Sequence, residues 1–527
     1  MDPQLFGFQY CPKEHRMLLD ALASELQLVA TAQFDPLREV TAVTHDSRVA
    51  GPGTAFVAVP GFHHDGMKFV PDAVARGTNV VVCAQLPAEF LPDVTYIVVP
   101  DVRIALALMA RILNGKPDEQ LRMYGITGTN GKTSTAYFLS SILRHAKRRV
   151  GVMGTIGFDL DGKIIETPNT TPEAPILHDL LRTAVEGGTE DVIMEVSSHS
   201  LQLERVAGMS FDVAMFTNLT EDHLELHGTM EAYFDAKRRL FEHAAAGYSI
   251  VDVGGEWGAR AAGLIEATGA RVVRVGCPGD AVDVRPENIA TDLDGTTFDL
   301  VTSSGTVPVR LRALGGYHVR NALLAAAAAM TQGYALETIA EGLGEAEPVP
   351  GRLERVLNED GLDVFIDYAH TTDALHSCLE AVRALSDAPI TLVFGVLGDR
   401  IPRLRREMGT VAAAGADHII LTEDDLKAGS FEEVVADVAP ALDEAGVAWE
   451  RIDNRWDAIA AGIERARQGD IVIIAGKGHE KQLILADGQG AIHLDEMAAA
   501  KEAIAGRDPR VLDPREECEK SRHKLIS

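Results

Sequence analysis

Short runs of β-branched and other apolar residues recur along the chain, separated by stretches whose apolar positions repeat every three to four residues. The runs predict buried strands and the stretches amphipathic helices. Ala55-Phe-Val-Ala-Val59 and Asn79-Val-Val-Val-Cys83 open the series. Met123–Thr127, Val192-Ile-Met-Glu195 and Val213-Ala-Met-Phe216 follow, with an alanine-rich helix over Asn321–Met330. Val364-Phe-Ile-Asp367, Thr391-Leu-Val-Phe394, His418-Ile-Ile-Leu421 and Ile471-Val-Ile-Ile-Ala475 complete it. Strands alternating with helices predict an α/β fold.

At 527 residues the chain is too long for one core and predicts about three domains. A small α/β domain covers 1–113 and a larger block, opened by a glycine-rich turn, covers 114–345. The segment Glu345-Ala-Glu-Pro-Val-Pro-Gly351 reads as a linker, with Gly351 as the hinge candidate. A doubly wound, Rossmann-like domain covers 346–506, and the charged stretch 507–527 is expected to fray.

Apolar residues make up 46% and charged residues 24%, an ordinary globular balance. A formal net charge of −29 argues against nucleic acid or an anionic membrane as partner, since both need a basic surface. The five cysteines are scattered without C-x-x-C spacing, which indicates neither a disulfide framework nor a zinc site. No stretch approaches the roughly 20 apolar residues of a membrane span, and Glu14 and Asp20 interrupt any apolar leader. The expectation is a cytoplasmic protein.

Residues 125–134 read Gly-Ile-Thr-Gly-Thr-Asn-Gly-Lys-Thr-Ser. Between a strand and a helix over Thr133–Arg144, the backbone amides of Gly128, Thr129, Asn130 and Gly131 and the helix N-terminus converge on phosphate. Lys132 would reach the β/γ-phosphates of ATP, and Thr133 a magnesium ion. Glu195, at the tip of an apolar strand, needs a cation or donor there, and magnesium is the simplest reading. His223, in Asp222-His-Leu-Glu-Leu-His-Gly228, is a nitrogen ligand or part of a polar surface turn.

Lys237 interrupts an apolar stripe. Thr229 caps a helix running to about His243, on which Tyr233, Lys237, Leu240 and Phe241 share a face. Either the lysine stem packs while its head reaches water, or a lowered pKa lets the neutral amine take up carbon dioxide and become a carbamate that faces magnesium.

Gly-Thr-Asn-Gly-Lys-Thr at 128–133, Asn-Thr-Thr-Pro-Glu at 169–173, Glu-Val-Ser-Ser-His at 195–199, the 222–228 segment, Asp-Tyr-Ala-His at 367–370 and Gly-Lys-Gly-His-Glu at 476–480 together resemble the Mur ligase family over nearly the whole chain. Within it the resemblance is to members that add the third amino acid of the peptidoglycan stem peptide. Asp46-Ser-Arg48, Phe56-Val-Ala58 and Asp65-Gly66 are similar to their uridine-binding domain. The resemblance implies three domains, binding uridine, ATP and amino acid in turn. It implies ATP and Mg2+ as cofactors, and UDP-N-acetylmuramoyl-L-alanyl-D-glutamate and a free amino acid as partners of a monomer. It places Lys132, Thr133, Asn321, Arg352 and Asp367 on ATP, and Glu195, His223 and a carbamylated Lys237 on magnesium. Ser47, Thr170, Thr171, Ser197 and Arg205 fall on the UDP-sugar peptide. Arg400, Gly476 and Glu480 fall on the incoming amino acid. The implied reaction passes through an acyl phosphate, so a C-terminal domain that closes over the site is expected.

Departures concern specificity. Where many of these relatives read Asp-Asn-Pro-Arg, this chain reads Asp424-Asp-Leu-Lys427. A lysine copies poorly an arginine's bidentate hold on the distal carboxylate of meso-diaminopimelate. Asp425, with Asp424 and Glu423, would favour a distal ammonium, so L-lysine or L-ornithine is preferred, unless the loop has no bearing on choice. Thr372 and Leu397 stand where proline and glycine are usual, which would suit a paralogue with another substrate. A folylpolyglutamate- or cyanophycin-type ligase and a non-catalytic Mur-like subunit are the other readings. Against the last, Lys132, Thr133, Glu195, His223 and Lys237 are all present.

Overall fold

The computed structural model describes residues 16–61, 65–277, 279, 281–358, 361–486 and 490–515. It divides into two compact units, Met1–Val284 with Leu324–Gly342, and Arg285–Leu323 with Leu343–Ser527.

The first unit holds two larger sheets beside the two-stranded pair of Met17–Leu18 and Glu39–Val40. Five strands run in the order Ala30–Ala32, Thr95–Val98, Val80–Cys83, Thr54–Val57 and Ala42–Thr44. The first pairs antiparallel and the rest are parallel. Every residue of Thr54–Val57 and Val80–Cys83 is buried, the burial on both faces that uninterrupted apolar runs predict. The helix Val102–Leu113, capped by the Asp101 carboxylate, packs on this sheet.

The second sheet of this unit centres on Arg122–Thr127. Asp191–Glu195 lies parallel on one side, with Glu195 opposite Ile126, and Val213–Phe216 lies parallel on the other, with Phe216 opposite Thr127. Val150–Gly154 extends the sheet beyond one neighbour, and Tyr248–Asp252 and Arg271–Val275 beyond the other. The loops after these strands therefore emerge at one carboxyl edge, on both sides of the strand where the order reverses. Open α/β sheets bind ligands in such a crevice.

On the buried face of the helix Ala174–Glu186, the His178 imidazole is fully buried beside Arg111, whose guanidinium pairs with the buried Asp118 carboxylate at 2.8 Å. Burial, then the Arg111 charge, pushes the imidazole down from 6.5 to about 3. A base lowered in the folded state binds its proton on unfolding, so stability is intact above about pH 6.5 and is lost as pH falls toward about 3. Between pH 7 and pH 5 this histidine is expected to remove on the order of 1–2 kcal/mol. Calorimetry should show a smaller fall in Tm over that interval for His178→Leu than for the wild type.

In the second unit, Gly295–Thr302 and Gly305–Leu311 form an antiparallel hairpin. Six strands order as Glu354–Arg355, Asp363–Asp367, Ile471–Ala475, Ile390–Phe394, His418–Leu421 and Ala448–Arg451, all parallel except the first. Alternate residues serve opposite layers. Phe365, Leu392, Ile419, Ile471 and Ile473 pack on helices Thr372–Arg383, Pro402–Gly415 and Phe431–Ala445. Val364, Ile366, Val393, Ile420, Val472 and Ile474 pack on Arg455–Arg465 and Glu496–Ile504. This is the doubly wound arrangement that the alternation predicts.

Three local expectations change. Gly351 is no free swivel: its amide donates to Glu354, its carbonyl accepts from Tyr368 N at 2.8 Å, and a Cβ there would meet His479 N at 2.3 Å. Residues 507–515 are packed rather than frayed, with Asp513 buried and accepting from Asn454 Nδ2 at 2.9 Å, and Arg515 2.9 Å from Glu423. The remainder of the tail, 516–527, lies outside the described residues. Thr372 is the first residue of its helix behind the Thr371 cap, a position that suits proline or threonine alike, so this departure touches no chemistry. Among the described residues no helix is long and apolar enough to cross a membrane.

Candidate active site

The glycine-rich loop is held from the neighbouring strand's end. Asn130 N donates to Asn218 Oδ1 at 2.9 Å, Thr217 Oγ1 donates to Asn130 O at 2.6 Å, and Thr129 N donates to Asn218 O at 3.0 Å. Gly128, at φ +147°, has no room for a side chain, because a Cβ would lie 1.8 Å from Thr217 Oγ1. Gly131, at φ +86°, turns the chain into the helix Lys132–His145.

Two lysines meet on one carbonyl. Lys132 Nζ donates to Gly128 O and Thr129 O, each at 3.0 Å, and Lys237 Nζ donates to Gly128 O at 2.8 Å. Lys237 projects from the helix Met230–Arg238, capped by Thr229, and its ammonium nitrogen lies 4.5 Å from the Tyr233 ring centroid. Only 2% exposed, it does not snorkel: burial, then the positive charge of Lys132, pushes its pKa well below the ordinary lysine value, with Asp222 pulling the other way. Burial and the Lys132 charge both favour the neutral amine over the ammonium.

Glu195 is 1% exposed. One carboxylate oxygen accepts from Thr133 Oγ1 at 3.0 Å and Thr155 N at 3.1 Å, the other from Thr155 Oγ1 at 3.2 Å. These donors are neutral, and a buried carboxylate needs a cation to offset its desolvation. The Thr133 hydroxyl and Glu195 carboxylate make a pair of hard oxygen donors that fits magnesium. His223 stands nearby in the chain's fold but is not bonded to Glu195. It is left-handed at φ +53°, its Nε2 lies 3.4 Å from Asp222, and its ring meets His199 edge-on at 4.7 Å. Burial, with the charges of His223 and His227, pushes His199 down to about 4.

On the other side of Glu195, Thr171 Oγ1 donates to the Glu195 carbonyl at 2.9 Å and accepts from Ser197 N at 3.1 Å. Arg205 donates to Thr171 O at 2.8 Å and pairs with Glu173 at 2.5 Å, and Thr170 Oγ1 lies 3.3 Å from Thr155 Oγ1. Thr170, Thr171, Ser197 and Arg205 thus form one cluster around the end of the strand that carries Glu195. Ser47 stands apart, half-buried between Asp46 and Arg48 in the loop after Ala42–Thr44.

In the second unit the Arg352 guanidinium lies 4.3 Å from the Tyr368 ring centroid, and Asp367 accepts from Leu353 N at 2.6 Å. Burial raises Asp367 to about 6 against the pull of Arg352. Asn321 is buried on the helix Gly316–Thr331, and Gly476 N donates to Asp367 O at 3.0 Å, joining the two groups of predicted residues. Arg400 is half-buried after the strand Ile390–Phe394.

The Asp424–Lys427 loop differs most from expectation. Asp425 does not present a free charge: its carboxylate accepts from Lys477 Nζ and from Ile484 N, each at 2.9 Å. Lys427, at φ +51°, pairs with Asp399 at 2.9 Å. Asp424 is 1% exposed, and its Oδ2 has no hydrogen-bond partner among the described residues. Arg405 is bound to Asp437 at 2.9 Å and to the Gly398 carbonyl.

Sequence reasoning missed Thr155, Asn218, Tyr368, Arg455 and Lys477. Lys477 lay inside a quoted motif without a role. Arg455, fully buried, pairs with Glu496 at 2.7 Å and donates to the carbonyls of Glu423 and Ala475. Its helical position carried no signal of those partners.

The chain matches the Mur ligase family catalytic domain over residues 39–116, the Mur ligase middle domain over 126–329, and the Mur ligase glutamate ligase domain over 351–478. It is 40% identical over 479 residues to the UDP-N-acetylmuramoyl-L-alanyl-D-glutamate--2,6-diaminopimelate ligase of Solibacter usitatus, covering 89% of this chain and 94% of that protein. It is 38% identical over 484 residues to the protein of the same name from Geobacillus kaustophilus, covering 89% and 96%. A solved structure of a ligase of that name aligns with a TM-score of 0.66 at 28% identity, covering 93% of this chain and 99% of that one. A MurF from Acinetobacter baumannii, at 20% identity, TM-score 0.63 and 88% and 96% coverage, shares the fold. Sequence match and fold agree: the chain belongs to the Mur ligase family of ATP-dependent ligases.

Proposed function

We propose that this enzyme joins a diamino acid to the free carboxylate of UDP-N-acetylmuramoyl-L-alanyl-D-glutamate, with L-lysine or L-ornithine preferred, as a monomer in the cytoplasm. The observation that carries the reaction is the convergence of Lys132 and Lys237 on Gly128 O, with Glu195 bonded to Thr133 on the same helix start. A carboxylate oxygen attacks the γ-phosphorus of ATP, its bond to the ADP oxygen breaks, and an acyl phosphate forms. The amine then attacks the acyl carbon, the C–O bond to phosphate breaks, and the amine loses a proton.

The first step brings anions together, which the loop amides and Lys132 offset as preorganised donors. Thr133, Glu195 and His223 would hold magnesium, with Lys237 as its carbamate, and the ion supplies positive charge to the γ-phosphate. Thr170, Thr171, Ser197 and Arg205 hold the dipeptide, and Ser47 the uridine. Asn321, Arg352 and Asp367 contact the adenine, phosphate and ribose of ATP.

The preference for a distal ammonium rests on Asp424, a buried carboxylate oxygen that lacks a donor, and on Lys427, whose charge is matched by Asp399. A Cβ on Gly476 would lie 2.5 Å from that same oxygen, so only glycine packs against it there. Meso-diaminopimelate is the second reading, favoured by the names of the relatives. A panel of lysine, ornithine, meso-diaminopimelate and neutral amino acids, each with ATP and the UDP-muramoyl-dipeptide, separates them. Turnover with lysine or ornithine above meso-diaminopimelate is expected, and the reverse order assigns the second reading.

A further inference from the structure

A buried chain of charges runs behind the residues proposed to receive the amino acid. Lys477 Nζ, on a side chain 2% exposed, reaches Asp425 Oδ1 at 2.9 Å and Glu480 Oε2 at 2.5 Å. Burial alone would lower this lysine, but the carboxylates of Asp424, Glu480 and Asp425 raise it, so the ammonium stays charged. Asp425 also accepts from Ile484 N, and Leu426 N donates to Ile484 O at 2.9 Å, stitching the specificity loop to the strand Gln482–Ile484. At the other end Glu480 accepts from Tyr368 Oη at 2.7 Å and keeps a third of its side chain exposed. The accessible member of the chain is therefore Glu480, and Asp425 is the buried one.

We infer that Asp425 is a positioning residue that acts on the incoming amino acid through Lys477 and Glu480, not by touching it. The charges give the reason. One ammonium shared by two carboxylates leaves the triad with an excess negative charge, and exposure places it at Glu480, where an amine can reach it. A neutral residue at 425 would leave Glu480 as the carboxylate paired directly with Lys477, with Asp424 acting from a distance, and so offset that charge. The role rests on the proposed amino-acid site and deepens it, and it differs in outcome from direct selection by Asp425. Every diamino acid brings the same amine to Glu480, so loss of the Asp425 charge weakens all of them together.

The test measures KM for lysine, ornithine and meso-diaminopimelate, and for ATP, in wild type, Asp425→Asn, Lys477→Met and the double variant, with Tm for each. Asparagine keeps the oxygen that accepts from Ile484 N, so Asp425→Asn is expected to fold. Its KM should rise about tenfold for all three amino acids, as expected for loss of a charge-assisted contact, while the ATP value stays within about twofold. The double variant should be no worse than Lys477→Met alone, in KM and in Tm. A selective gain for meso-diaminopimelate in Asp425→Asn would overturn the inference, as would additive effects in the double variant or an unchanged amino-acid KM beside an active wild type. A wild type that ligates none of the three counts instead against the proposed function, while the Tm cycle still reports whether the pair is coupled.

Discussion

Lys237→Ala is expected to lower the ligation rate by about 10²–10⁴-fold, and millimolar acetate or propionate to restore part of it. The size follows from removing a charged group beside the transferring phosphate, an electrostatic contribution of several kcal/mol in comparable sites. Rescue follows from chemistry: a carboxylate has the charge and the two oxygens of a carbamate, and the cavity left by the lysine stem admits a short one. The proposed carbamylation draws on the burial of the amine beside the Lys132 ammonium, its hydrogen bond to a carbonyl and, among the described residues, the lack of a carboxylate bonded to it. A rate matching wild type would remove the carbamate from the account. Loss without rescue by any short carboxylate would leave Lys237 as a packing residue of its helix.

Glu195→Gln and Lys132→Ala are each expected to reduce turnover by about 10²–10³-fold while the fold persists. Glutamine keeps one oxygen to accept from Thr133 Oγ1 and Thr155 N, and its Nε2 can donate to the Thr155 hydroxyl in place of the bond that the carboxylate accepted, so the site stays hydrogen-bonded while the charge is lost. Lys132 is half-buried and donates to the loop carbonyls of Gly128 and Thr129, so its removal takes no side chain out of an apolar core. Circular dichroism and Tm near wild type, with ATP turnover lost, is the expected pair of results. A Tm that collapses while specific activity survives would assign both residues to stability.

The fold was legible because strands buried on both faces need unbroken apolar runs. Val213–Phe216, His418–Leu421 and Ile471–Ala475 stand where their runs end, and the layer each side chain faces follows from its place in an alternation. The glycine-rich turn between strand and helix was legible for a related reason, since its spacing is fixed by one turn and one helix start. Lys237 announced itself as a cation in an apolar stripe, although only the fold showed that its head stays inside.

What the sequence hid were pairings between distant segments. Asp425 and Lys477 lie 52 positions apart, and their contact follows from two strands' ends meeting at one edge, which no local pattern encodes. The acidic loop therefore read as an open negative surface, when Lys477 and Asp399 already match two of its charges. Arg515 was hidden in the same way, in a tail whose composition suggests solvent and whose partner Glu423 is remote in sequence.

The central claim, that a carboxylate is activated as an acyl phosphate before amide formation, is tested most directly by isotope transfer. UDP-N-acetylmuramoyl-L-alanyl-D-glutamate carrying 18O in the free glutamate carboxylate is turned over with ATP and the preferred amino acid, and the released phosphate is weighed by mass spectrometry. The account predicts one 18O in each phosphate, because the oxygen that attacks phosphorus leaves with it. Unlabelled phosphate accompanying amide formation would contradict it.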